Sequence, residues 1–127
     1  LKGLKDGVID GVTSNHDPRI IEDKKTEFDH AAFGSIGLES CFGALNQITD
    51  LETTIKAFNG LKNRFGIEIH PIAEGSKASF TLFNPEGASQ FSVNEITSTS
   101  KNAAMLGKTL QGKVYGIVNN KKVVLND

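Results

Sequence analysis

Apolar residues recur at helical spacing through the first half of the chain and alternate with polar ones through the second, the change falling near Gly66. Leu1, Leu4 and Val8 fit the tail of a helix that ends near Gly7. Val8-Ile9-Asp10-Gly11-Val12-Thr13, rich in β-branched residues, then reads as a short strand, which runs into the polar cluster Ser14-Asn15-His16-Asp17-Pro18. From Asp17 to Phe33 the chain is polar and irregular, and loops of this length inside domains are commonly binding loops or lids. Within it, Lys24-Lys25 stands among acids and reads as a solvated stretch. Leu38, Cys41, Phe42, Leu45 and Ile48 predict a helix with one apolar face.

Thr49 and Glu52 have the spacing of a capping box, so a second helix is expected to start there, with Leu51, Ile55 and Phe58 as its buried stripe. Asn59 is placed to cap a last short helix through Phe65, and Gly66 to end it in a left-handed conformation. Beyond Gly66, strands are expected over residues 67–70, 78–83, 90–93 and 113–125, separated by Gly, Pro and Asn. Asn119-Asn120, between Val118 and Val123, predicts a tight hairpin turn. The chain therefore divides into residues 1–65, αβ and helical, and residues 66–127, mainly strand.

Composition narrows the function classes. With 14 basic and 15 acidic residues the charge is balanced, so no strong field invites nucleic acid or an anionic membrane. Small-molecule or protein partners are expected instead. The single cysteine, Cys41, points to a reduced intracellular compartment and hence a cytoplasmic location. No apolar run approaches membrane-spanning length and no signal-like segment is read. The chain begins Leu1-Lys2-Gly3 and its one methionine is Met105, which suggests a piece of a larger protein. At 127 residues it is long enough for one domain with a core but short of the roughly 250 that a closed eight-stranded α/β barrel uses.

The segment from Asp10 to Pro18, followed by Phe33-Gly34-Ser35-Ile36-Gly37-Leu38-Glu39-Ser40, resembles the last strand, active-site loop and last helix of the dihydroorotases, metal-dependent amidohydrolases. The likeness continues through the glycine-rich entry Gly75-Ser76-Lys77-Ala78-Ser79-Phe80, the run Ser100-Lys101-Asn102, the stretch from Gly107 to Gly112 and a terminal hairpin over 114–124. It implies an α/β fold: the last strand and helices of a TIM-type (β/α)8 barrel over residues 1–65, with the Leu38 helix packed on that barrel. A small C-terminal β-subdomain would follow. Ser79 stands where the family usually has an acid.

The implied reaction is the reversible closure of N-carbamoyl-aspartate to dihydroorotate, a zinc-dependent step of pyrimidine synthesis. A cation lowers the pKa of a bound water, and a neighbouring carboxylate moves its proton to the departing nitrogen. Asn15 matches the position of the family's metal-binding, proton-moving aspartate, and an amide cannot serve as that base. Arg19 stands where many members place a histidine that holds the substrate carboxylate, and a guanidinium can grip such a group bidentately. Phe33 and Gly34 match the loop pair whose backbone lines the substrate pocket, with Ala32 where proline is common. His16 is adjacent to the critical position but is not read as a ligand, and His30 and His70 lack partners at metal-ligand spacing. Asp17 could offer a displaced carboxylate only if the strand continued, against which Pro18 argues.

The histidines and lysine that hold the family's metal are expected upstream of Leu1. This chain then carries no metal ligand set and, as a fragment, is expected to bind no zinc and to be inactive alone. Its open strand is expected to drive self-association. Three readings follow: part of a dihydroorotase; part of a catalytically silent homologue serving as structural or regulatory partner of a pyrimidine-pathway enzyme; or part of an allantoinase-like hydrolase.

Overall fold

A computed structural model describes residues 1–126. Four helices come first, α1 (Lys2–Lys5), α2 (Ile21–Lys24), α3 (Leu38–Asn46) and α4 (Leu51–Arg64). A three-stranded antiparallel sheet follows, β1 (Ser79–Gln90), β2 (Thr109–Asn119) and β3 (Lys122–Leu125), in the order β1-β2-β3. A 3₁₀ turn at Val93–Glu95 leaves β1. The switch from helical to alternating periodicity near Gly66 therefore matches the order of elements. No helix among the described residues is long and apolar enough to cross a membrane.

Residues 8–13 form no strand, contrary to expectation. Strand backbone needs a hydrogen-bonded neighbour, and the amide of Val12 instead donates to the carbonyl of Ala57 on α4 at 3.1 Å. Small residues make this close docking possible. A Cβ at Gly11 would lie 2.8 Å from the Ala57 carbonyl oxygen, and one at Gly60 would overlap the carbonyl oxygen of Asp10. Arg64 adds an exposed ion pair to Asp10 at 3.1 Å. Residues 67–70 also lack a strand partner, and their alternation leaves Ile67 and Ile69 half exposed. The expected strand at 90–93 is not separate: β1 runs to Gln90, and Phe91 then turns into the core.

Helix α3 packs on the sheet, where the resemblance led us to expect a barrel. Gly43 lets Leu110 approach so closely that a Cβ would sit 2.8 Å from it. Buried Asn46 donates to the carbonyls of Pro85 (2.9 Å) and Gln111 (3.1 Å). These bonds span the register shift between Asn84 and Ala88 of β1, the kind of bulge that tolerates a proline. The Phe42 ring lies 5.1 Å from Phe83 and 6.5 Å from Phe58, tying both long helices to β1. Leu38 and Ile48, at the ends of the predicted apolar face, remain exposed. Ile36, Phe91, Ile96 and Leu110 form the buried cluster, with Ala44, Ala103 and Met105 around it. That core draws on residues from both sides of Gly66.

Asp50, one residue later than expected, caps α4. Its carboxylate accepts from the Thr53 amide (2.9 Å) and the Thr53 hydroxyl (3.0 Å). Thr49 instead donates to the Leu45 carbonyl and meets the buried Thr54 hydroxyl at 2.7 Å, while Glu52 pairs with Lys56. Asn59 does not cap a new helix: α4 runs through it, its amide donating to the Ile55 carbonyl at 3.0 Å. The buried residues of α4 are Thr54 and Ala57, whereas Leu51 is exposed. Gly66 does adopt the left-handed conformation that ends the helix (φ 64°). The hairpin turn falls at Asn120-Lys121, both at positive φ, one residue beyond the expected pair.

The Thr53 amide and hydroxyl, helped by Lys5, hold the Asp50 carboxyl down from 3.8 to about 2. A depressed folded-state value makes the charged cap stabilising above pH 3.8 and removes that contribution as pH falls through about 2. Asp50→Ala is therefore expected to lower the thermal midpoint at neutral pH, and the gap from wild type to narrow across that acid window. Asp50→Asn, which keeps an accepting oxygen, should retain most of the midpoint at neutral pH. Thermal melts at stepped pH check this; a gap that does not depend on pH would refute it.

Candidate active-site loop

Three backbone segments lie side by side behind the polar loop. Isolated parallel bridges join His16 to Ser35 and Ile36 to Ala103. The Asp17 amide donates to the Ser35 carbonyl at 3.0 Å, and the Ile36 amide to the Asn102 carbonyl at 3.2 Å. Ile36, only 2% exposed, anchors the middle segment in the core. The sequence-predicted positions sit at the ends of these bridges.

Asn15 is exposed and left-handed (φ 46°), with its amide donating to the Thr13 hydroxyl at 3.3 Å. Asparagine is among the few side chains that accept this conformation readily. His16 has a structural task. Its Nδ1 lies 3.2 Å from the amides of both Gly37 and Leu38 and accepts from them, satisfying donors at the start of α3 that Gly37, lacking a side chain, cannot reach. The proton then belongs on Nε2, which meets the Ser98 hydroxyl at 3.3 Å.

Arg19 points its Nε and Nη2 at one oxygen of Asp17, at 3.1 and 2.8 Å. Asp17 is thus not a free spare base; it orients the guanidinium. Gly34 adopts φ 119°, and a Cβ there would overlap the same Asp17 oxygen, so the arrangement requires glycine. Phe33 is 93% exposed. Lys24 is not simply solvated: its ammonium donates to the carbonyls of Ala32 (2.8 Å) and Gly34 (3.1 Å), holding the loop. The loop also contains one helical turn, α2, where irregular chain was expected.

Arg19, Lys24, Gly34, Ser35, Lys101 and Asn102 line a cleft of about 790 Å³. Its lining is largely apolar, with Ile20 and Ile21, and its four cations Arg19, Lys24, Lys25 and Lys101 outnumber the one acid, Glu22, a balance that suits a ligand bearing negative charge. Among the described residues no three His, Cys, Asp or Glu side chains gather to hold a metal ion. His30 and His70 lie instead near Asp29 and Glu68, at 3.8 and 3.7 Å. The described residues do not by themselves fit a zinc site. Burial pushes the Cys41 thiol up, away from the reactive thiolate.

Sequence reasoning missed the Asn102 contacts. In the sequence Asn102 is marked only by the run Ser100-Lys101-Asn102, because its partners lie 68 to 85 residues away and no spacing signals them.

No protein-family model matches the chain. It is 31% identical to a dihydroorotase of Chlorobaculum tepidum over 98% of its own length and 30% of the relative's. It is 30% identical to a dihydroorotase of Caldicellulosiruptor saccharolyticus over 100% of the chain and 31% of the relative. The chain thus spans under a third of the curated relatives it matches. Among solved structures, a D-hydantoinase (dihydropyrimidinase) from Thermus sp. superposes with a TM-score of 0.81 at 23% identity, over 99% of this chain and 30% of that one. A second D-hydantoinase gives 0.77 at 19% identity, over 98% and 30%. These structural likenesses speak for the fold, and the sequence relatives for the family. By sequence the chain is related to the dihydroorotases over its full length and about 30% of theirs, which is consistent with a C-terminal portion of them.

Proposed function

We propose that this chain serves as the C-terminal portion of a dihydroorotase-type hydrolase, in which its loops hold the carboxylate of dihydroorotate or N-carbamoyl-aspartate. The carrying observation is the end-to-end sequence relationship to dihydroorotases. Arg19 and Gly34 on one cleft, where cations outnumber acids, support the assignment of the carboxylate grip to this loop. With Nε and Nη2 on Asp17, the guanidinium keeps a fixed direction, and in this proposal Nη1 is the nitrogen it offers to a ligand. Zinc, when bound in a longer protein, would supply the activated water. Within this proposal the chain's own part is to bind and orient, and alone it is inactive. The alternative of a silent homologue is favoured by Asn15, because an amide at the family's aspartate position supplies no base.

The carboxylate separates dihydroorotase from its sister activities, since hydantoin and allantoin lack one. In a longer protein carrying this chain, Arg19→Gln is expected to raise KM for dihydroorotate about thirtyfold, the worth of one charge-assisted hydrogen bond. Any activity on the uncharged cyclic amides should persist. Parallel loss on charged and uncharged substrates would assign Arg19 to loop structure and overturn the reading.

A further inference from the structure

We propose that Asn102 is the positioning residue of the candidate carboxylate site, using all of its side-chain amide to set Arg19 and Gly34 in one frame. This rests on the reading of Arg19 and Gly34 as substrate-holding residues. Its geometric half stands without that reading.

The amide is matched at both ends. Oδ1 accepts from the backbone amide of Arg19 at 3.1 Å. Nδ2 donates to the carbonyl of Asp17 at 3.2 Å and to that of Gly34 at 3.3 Å. One planar group therefore contacts both flanks of the Asp17–Arg19 ion pair and the glycine against which Asp17 rests. The main chain of Asn102 is itself fixed, because its carbonyl accepts from Ile36, a core residue, and the next residue bridges to Ile36. Lys101 steadies the approach by donating to the carbonyls of Ile96 and Ser98, each at 2.8 Å.

The core thus reaches Arg19 by a short rigid route: Ile36 to the Asn102 backbone, then the Asn102 side chain to the loop. An amide side chain is required here, since the site needs one acceptor and two donor bonds from a single neutral group. Aspartate keeps the acceptor and loses the donors; alanine loses both.

Backbone hydrogen exchange on the wild-type, Asn102→Ala and Asn102→Asp proteins tests this directly. In Asn102→Ala the Arg19 amide should exchange at least about tenfold faster while the Ile36 amide, bonded to the unchanged Asn102 backbone, keeps its protection. In Asn102→Asp the Arg19 amide should remain protected. The Asp17 amide, whose bond to Ser35 lies between the two released carbonyls, should exchange faster. Equal acceleration at Arg19 and Ile36 in Asn102→Ala would reduce Asn102 to general packing and overturn the proposal. Were the alanine variant to unfold, the split between Arg19 and Asp17 in Asn102→Asp decides alone, and its absence refutes the idea. In a longer active protein, Asn102→Ala should raise KM for dihydroorotate about tenfold with a smaller change in kcat; the reverse split would overturn the positioning role. A wild-type protein that neither binds nor turns over dihydroorotate, yet shows the expected exchange pattern, refutes the functional reading and leaves the positioning geometry standing.

Discussion

Asn15→Asp, made in a longer protein that carries this chain with the remainder of a dihydroorotase, is expected to raise turnover of dihydroorotate by about a hundredfold. The proposed reading sets Asn15 at the place of the family's proton-moving aspartate, and the substitution supplies a carboxylate there while changing one side-chain atom type. Backbone conformation does not oppose it. Asn15 is left-handed and exposed, aspartate tolerates that region nearly as well, and the bond from the residue 15 amide to Thr13 is unaffected. KM should move less than kcat, because the proposed carboxylate grip falls to Arg19 and Gly34. A silent protein that stays silent would favour the scaffold reading, with decay beyond this position. An efficient wild type that gains nothing would show that the base lies elsewhere. Asp17 is then a poor substitute, since it is committed to Arg19 at 2.8 Å.

The second large effect concerns stability, and there helix propensity points the wrong way. Gly60 lies inside α4, where alanine is ordinarily worth about 1 kcal/mol more than glycine. At this position, however, the new Cβ would overlap the carbonyl oxygen of Asp10, a backbone atom that cannot swing aside. Such overpacking costs about 1–3 kcal/mol, so Gly60→Ala is expected to be net destabilising by up to about 2 kcal/mol. The segment 8–13 should lift from α4, speeding exchange of the Val12 amide that now donates to Ala57. Asn63→Ala, on the exposed side of the same helix, is the control and should be neutral or slightly stabilising. Denaturant midpoints and Val12 exchange check both; a stabilised Gly60→Ala would show that the loop does not dock as described.

Local patterning determined the two long helices, α3 and α4, and most of the sheet. The spacing of Leu38, Phe42 and Leu45 marks α3, the left-handed Gly66 closes α4, and the Asn-rich turn between Val118 and Val123 produces the hairpin to within a residue. Each depends on interactions between near neighbours, which spacing encodes. The family was likewise legible, because the motifs run in order along nearly the whole chain. Tertiary structure alone decided what lacks a local signal. Residues 8–13 and 67–70 have strand-like composition, yet a strand exists only where another backbone completes its hydrogen bonds, and α4 or solvent takes that place. The cap moved from Thr49 to Asp50 because Thr49 was drawn to buried Thr54 and the Leu45 carbonyl. The frame that holds Arg19 against Gly34 came from Asn102, dozens of residues away, through three bonds that no sequence spacing could announce.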